Sequence, residues 1–483
     1  MLQCIGYRAR ESARFPACPC ARPVASLPLR SPPLSERRAP ARLRAALSAS
    51  PALWWAMLYF FCLLTGYYVL RPVRDAMGAS TDIAALFPRQ LLDWALARGV
   101  SLGDFTLQIL FTATFLCMLL LQPVYGALVS RYPRRVFLPV VYLSFIACLV
   151  GFWWAFHVEM PGRGSAFFVF VAVFNLFAVM VFWSFMADVF DNEDAKKIYG
   201  FIGAGGTIGA LCGPALTRLL VEPIGVGNLL LVSAGFLGVC LLCILRLRHW
   251  ALAREGGRGM HGDEQPIGGS VLAGLALVWR DPLLRALGAL MFFGVGVGTL
   301  LYNEQAAIVR RFYPTAEAST AFYSTLDWAV NGLTIAIQLL LTRWLLRRYG
   351  VAPLLLIPAI AILLGFALLS ASPFPLLVAM VQVGTRAGEF SLAKPARETL
   401  YTRVDRESRY KAKAVIDTAI YRGGDLAFAW VHKGLAAFGS QVVFMAGVGV
   451  AAAMTYGAWR VIQAQRKLPA TDLAIQAARA SPV

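Results

Sequence analysis

Eleven ionisable side chains stand inside, or at the edges of, long apolar runs of this 483-residue chain: Arg71, Arg74, Asp75, Asp188, Arg218, Glu304, Asp327, Arg386, Glu389, Arg422 and Asp425. A charge so placed costs several kcal/mol unless it faces water or a partner, so each is a candidate for function. A guanidinium offers a planar fork of donors that matches phosphate and carboxylate oxygens. Several arginines converging on one place would suit an anionic solute. Arg71 and Arg74 are three residues apart and share a helix face. Arg386 and Glu389 have the same spacing, as do Arg422 and Asp425. The last two couples could equally be internally neutralised structural pairs, and Arg71 and Arg74 could snorkel to a membrane interface. Arg218 reads as interfacial and Asp188 as part of a loop. Tyr67, Tyr68, Trp183, Tyr302, Tyr323 and Trp328 could stack on a base, or serve as core and interface anchors.

Other chemistries find little support. His157, His249, His261 and His432 are too dispersed for a metal site. Gly203-Ala-Gly-Gly206 lacks the lysine and the preceding strand of a phosphate loop. No nucleophile–base pattern stands out, so neither an enzyme nor a cofactor or metal is expected. The nine cysteines, among them Cys62, Cys117, Cys148, Cys240 and Cys243, read as small core hydrophobes.

Positioning such charges requires helices that cross a membrane. The chain is 58% hydrophobic and only 15% charged. Its apolar runs of roughly 20 residues match a hydrocarbon core about 30 Å thick, and their continuity argues for helices rather than barrel strands. About twelve spans are expected, at 52–70, 106–128, 136–157, 165–188, 200–221, 227–247, 284–304, 320–342, 351–371, 374–393, 412–430 and 440–460. Of the 45 Lys and Arg, 33 fall on the two tails and the even-numbered connections and eight on the odd-numbered ones. That asymmetry puts both termini in the cytoplasm and accounts for the net charge of +19 without invoking a nucleic acid polymer. The expected organisation is a basic disordered tail (1–50), a six-helix bundle (51–247), a linker with a surface helix ended by Asp281-Pro282 (248–283), a second six-helix bundle (284–460) and a tail (461–483). An organelle leader is the other reading of residues 1–50.

The halves echo one another. Asn192-Glu193-Asp194-Ala195-Lys196-Lys197 follows the fourth span, and Arg406-Glu407-Ser408-Arg409-Tyr410-Lys411 the tenth. Such a repeat suggests pseudo-symmetric bundles with a site between them. Gly126-Ala-Leu128-Val-Ser130-Arg131-Tyr-Pro133-Arg134-Arg135 resembles the loop signature of the major facilitator superfamily, with Ser130 in the usual Asp position and Pro133 in the usual Gly position. Gly209-Ala-Leu-Cys-Gly213-Pro214 resembles that superfamily's Gly-x-x-x-Gly-Pro helix. Further motifs are Leu70-Arg71, Arg74-Asp75, Asp194-Ala195-Lys196-Lys197-Ile198-Tyr199, Lys394-Pro-Ala-Arg397-Glu398-Thr-Leu-Tyr401 and Lys411-Ala-Lys413-Ala-Val-Ile-Asp417. Taken in order, these resemble the ATP/ADP antiporter (nucleotide transporter) family of bacteria and plastids, particularly bacterial members without an established substrate.

That resemblance implies a secondary transporter working by alternating access on an anionic solute, with ATP/ADP-type exchange expected. The implied substrate-binding residues are Arg71, Arg74, Asp75, Tyr68, Glu304, Arg386, Glu389, Lys394, Lys413, Arg422 and Asp425. Gly126, Arg131, Arg134, Arg135, Gly209, Gly213 and Pro214 are implied as structural motif residues. The protein is expected to act as a monomer in a lipid bilayer, bacterial inner membrane or organelle inner membrane. A proton-coupled carrier of another small solute, and a non-transporting scaffold or sensor, are the other readings.

Overall fold

The computed structural model describes residues 51–467, without 132–133, 191, 256–270, 402–403, 405–411 and 414. Side chains are also not described for 122–136, 188, 191–197, 251–275 and 418. The two tails, the Gly126–Arg135 loop motif, Asp188 and the basic stretches 192–197 and 406–411 therefore lie wholly or partly outside the description. Among the described residues every regular element is helical.

The long helices are α1 (Pro51–Gly78), α2 (Thr106–Arg131), α3 (Arg134–His157), α4 (Arg163–Val189), α5 (Asn192–Glu255), α6 (Val271–Arg280), α7 (Pro282–Phe312), α8 (Ala316–Tyr349), α9 (Val351–Ala371), α10 (Pro375–Gly388), α11 (Tyr421–Ala436) and α12 (Ser440–Arg466). Nine helices among the described residues are long and apolar enough to cross a membrane. At 64 residues α5 would run about 95 Å if straight, several times a membrane's thickness. It breaks at Gly225, whose φ of 77° only glycine adopts freely, two residues after Pro223. The break falls between the two expected spans 200–221 and 227–247. α10 and α11 are helical too, but they carry the charges read above and are not among the nine.

Several boundaries differ from expectation. α1 continues past residue 70 to Gly78 with Pro72 inside it. Arg71, Arg74 and Asp75 therefore stand within a packed helix rather than at a span end. The extension holds because Ala76 and Ala79 lie in a shared apolar cluster with Leu107, Leu110, Phe168, Ala306, Val309 and Tyr323. The stretch after α1, expected as a loop, contains short helices at Ile83–Leu86 and Arg89–Leu96. It docks through Ser165 Oγ, which donates to the carbonyl of Leu86 at 2.6 Å. α5 overruns the expected linker boundary and ends at Glu255. A helix does form there, as α6, with Val278 buried in the neighbouring core, and Asp281 caps α7 by accepting from the amides of Leu283 and Leu284.

A stripe of small residues sets how closely α1 and α5 approach. A Cβ added at Gly205 would stand 2.7 Å from the carbonyl oxygen of Met57. One at Gly213 would stand 2.6 Å from Cβ of Tyr68 and 2.9 Å from the carbonyl oxygen of Thr65. Glycines at this spacing let the two backbones meet, which fixes the rotation of α1 and hence the direction its arginines face. The two halves of the chain meet at polar points as well. Asn331 Nδ2 on α8 donates to the carbonyl of Ala210 on α5 at 2.7 Å, and Gln108 Nε2 on α2 donates to that of Ala429 on α11 at 3.1 Å.

Candidate functional site

The arginines of α1 are gathered by two aspartates, one from each half of the chain. Arg74 folds back on its neighbour: its Nε and Nη2 donate to Oδ1 of Asp75 at 2.9 and 2.5 Å. The same oxygen accepts from the Tyr302 hydroxyl of α7 at 3.1 Å. Arg71 turns to α8, where its Nε lies 3.6 Å from Oδ2 of Asp327, and it is 3.9 Å from Oδ2 of Asp75. On the other side of Asp327, Arg386 of α10 reaches Oδ1 at 2.8 Å. Asp75 and Asp327 are almost wholly buried, at 3% and 1% exposure. The guanidinium carbon of Arg71 lies 5.8 Å from the Tyr68 ring, and that of Arg74 lies 5.2 Å from Phe168.

Three arginines against two carboxylates leave one positive charge in excess. Hydrogen bonding is also incomplete: Arg71 Nε, Arg386 Nη2 and Asp327 Oδ2 are buried with no hydrogen-bond partner, as are the Tyr323 hydroxyl and Arg310 Nε. Leaving a buried polar atom unsatisfied costs roughly 1–3 kcal/mol each, and more when charged. A cluster of open guanidinium donors with surplus positive charge is suited to an anion with several oxygens.

Expected pairings are redrawn here. The Arg386–Glu389 couple does not form. Arg386 bonds Asp327, and Glu389 opens a π turn (Glu389–Ala393) and accepts from Arg397 at 2.6 Å. Residues 386–389 keep α-helical geometry, so the spacing alone does not part them; each is taken by another partner, Asp327 of α8 and Arg397 of the helix that follows. Arg422 and Asp425 do pair, at 3.4 Å, and Asp425 also accepts from Thr299 Oγ1 of α7 at 2.9 Å. Arg71 and Arg74 are largely buried (15% and 17% exposed), Arg71 against Asp327 of the other half and Arg74 against Asp75 and Phe168 of its own.

The expected binding set therefore separates into three groups. Arg71, Arg74, Asp75 and Arg386, with Tyr68, form the cluster between the halves. Glu304, Arg422 and Asp425 lie along the α7–α11 seam, where Glu304 Oε1 is 2.8 Å from His432 Nε2. Glu389 opens the π turn after α10, and Lys394 and Lys413 lie beyond it: Lys413 bonds both oxygens of Glu398 at 2.7 and 2.6 Å, and Lys394 is exposed. His432 was invisible as a partner in the sequence, since 128 residues separate it from Glu304. Asp327 carried only the signal of a lone acid in an apolar run. Trp183 packs among Phe60, Phe182 and Tyr199, and Trp328 is 51% exposed on the outside of α8, so neither stacks in the cluster. Arg218 pairs with Glu222 at 2.8 Å on the exposed surface. Gly209, Gly213 and Pro214 all lie in α5, and both glycines face α1.

Residues 90–396 match the family model described as Major Facilitator Superfamily. ADP,ATP carrier protein 1 of Chlamydia muridarum is 22% identical over 440 residues, covering 78% of this chain and 80% of its own length. The chloroplastic ADP,ATP carrier protein 1 of Arabidopsis thaliana is 23% identical over 407 residues, covering 74% of this chain and 64% of its own length. Among solved structures, the nucleoside transporter NupG superposes with a TM-score of 0.54 at 14% identity, over 85% of this chain and 98% of that one. A D-xylose–proton symporter superposes with a TM-score of 0.57 at 12% identity, over 83% and 96%.

Proposed function

Because the chain belongs to the Major Facilitator Superfamily, we propose that Arg71, Arg74 and Arg386 hold the phosphate chain of a nucleotide that this secondary transporter exchanges across the membrane, ATP against ADP. The observation that carries this reading is the buried inter-half cluster. It has three guanidiniums against two carboxylates, with Arg71 Nε, Arg386 Nη2 and Asp327 Oδ2 left without hydrogen bonds. The sequence likeness to ADP,ATP carrier proteins supports the same solute class.

The physical logic is competition. With no anion present, Asp75 and Asp327 partly neutralise the arginines and tie α1 to α8 and α8 to α10. A phosphate chain offers the same donors more oxygens and more charge, so it displaces the carboxylates and loosens the ties between the halves. Stronger binding to one arrangement of the bundles than to the other is what shifts the carrier between its two open states. Tyr68, beside Arg71, offers an aromatic face to the base. Twelve spans with both termini in the cytoplasm, a bundle at 51–247 and another at 284–460, and a monomer in a bacterial inner membrane complete the reading.

The test is counterflow in proteoliposomes. Vesicles preloaded with ADP are expected to take up labelled ATP at least tenfold faster than vesicles preloaded with an uncharged sugar. Equal uptake under the two loadings would remove the exchange reading. Exclusion of ATP, with another anion carried well, would remove the nucleotide.

A further inference from the structure

One buried titratable pair has no part in that cluster. Glu304 and His432 are 4% and 8% exposed, and the imidazole Nε2 lies 2.8 Å from the carboxylate Oε1. His432 Nδ1 is buried with no hydrogen-bond partner. Glu304 is two residues along α7 from Tyr302, which puts the two side chains about 200° apart around the helix. Tyr302 faces Asp75 of the arginine cluster, and Glu304 faces α11. One helix thus has a nucleotide-side contact on one flank and the titratable pair on the other.

We infer that the Glu304–His432 pair is a proton site, and that the chain carries one proton with each anion it moves in net; this rests on the exchange reading above. The unpartnered Nδ1 bears on how many protons the pair holds. If Nε2–H donates to an ionised Glu304, a neutral imidazole leaves Nδ1 as a bare acceptor and the pair carries one negative charge. Adding a proton at Nδ1 makes the pair neutral. A net charge inside a membrane protein is costly, so the protonated pair is the form that crosses a dry, occluded stage most readily. The proton comes from water on the side to which the seam is open. It bonds to nitrogen or oxygen within the pair and returns to water on the other side, and no other bond changes.

The surroundings allow the pair to act as a unit. On α11 the nearest charges in sequence are Asp425, held by Thr299 and Arg422, and Lys433, whose ammonium lies 4.6 Å from the Phe105 ring. On α7 they are Tyr302, bonded to Asp75, and Arg310 near the helix end. α10 turns Arg386 to Asp327. α2, which packs on α11, follows Asp104 and contributes the neutral Gln108. α12 has no acid, and its bases are Arg460 and Arg466 towards its far end. Among the described residues, the ion-pair contact of Glu304 and His432 is with each other. Thr299 and Glu304 are five residues apart, about 7.5 Å along α7, so Asp425 offers a second carboxylate on the same seam.

Full-length protein in proteoliposomes containing pyranine, with the membrane potential clamped, tests the inference. Labelled ATP is added outside vesicles loaded with ADP or left empty of nucleotide. In wild type, ATP addition to nucleotide-free vesicles is expected to acidify the lumen, and an inward proton gradient is expected to raise net ATP uptake at least fivefold. His432→Gln is expected to lose both responses while keeping ATP/ADP counterflow, and Glu304→Gln is expected to lose the gradient response too. Wild type that exchanges nucleotide without moving protons overturns the inference alone. His432→Gln that keeps proton movement, or that loses counterflow in the same proportion, also overturns it, because the pair is then idle or merely structural. Wild type with no nucleotide exchange removes the reading beneath it, and the inference with it.

Discussion

Asp327 Oδ1 on α8 accepts from Arg386 Nη1 on α10 at 2.8 Å, while its second oxygen faces Arg71 of α1 without a hydrogen bond. One carboxylate so joins two helices of the C-terminal half to the first helix of the N-terminal half. Its position makes Asp327, rather than any arginine, the residue whose removal best separates holding the empty carrier together from holding the solute.

Asp327→Asn is expected to lower the thermal stability of the empty protein in detergent. Removing one partner of a buried ion pair leaves uncompensated charge and costs about 3–5 kcal/mol. The same change removes the competitor of a bound anion, so added ATP is expected to raise the melting temperature more in the variant than in wild type. Counterflow should fall at least tenfold, because the empty or exchanging carrier loses the tie it must remake. Equal ATP-induced shifts in the two proteins would contradict the competition.

Arg74→Gln is expected to weaken nucleotide uptake tenfold or more, since a charge-assisted hydrogen bond contributes roughly 1.5–3 kcal/mol. Arg74→Lys should retain part of the activity by keeping the charge without the fork. Concentration dependence of uptake at matched expression decides the matter. If the Gln variant transports as wild type does, Arg74 serves only to hold Asp75.

Gly213→Ala is expected to destabilise the protein by about 1–3 kcal/mol through overpacking against α1, because its Cβ would meet the Thr65 carbonyl and Tyr68. Gly235→Ala makes a matched control in the same helix, where nothing lies within 4 Å. Thermal unfolding in detergent should separate the two, with the control unchanged or slightly raised by the better helix propensity of Ala.

Single cysteines at Ser130 and Ser408, in a background with the native cysteines replaced, are expected to react with an impermeant thiol reagent only from the cytoplasmic side. One at Thr315, the cap of α8, should react only from outside. Labelling of intact and opened cells reads this directly, and a reversed pattern would overturn the twelve-span topology.

Helicity, membrane residence and a small-residue packing face on α5 were legible in the sequence for physical reasons. Apolar runs of about 20 residues have no other low-energy form in lipid, and glycines four apart mark one helix face whatever lies opposite. The likeness at Leu70, Arg71, Arg74 and Asp75 pointed to the helix whose arginines meet Asp75 and Asp327. What the tertiary structure alone decided is which charge meets which. Arg386 lies three residues from Glu389 yet bonds Asp327, 59 positions away in the chain, because α8 and α10 lie side by side. Glu304 finds His432 because α7 and α11 are neighbours, a fact no local spacing encodes. Salt-bridge partners are set by helix rotation and axial register, and both come from the packing of the whole bundle rather than from any stretch of sequence within it.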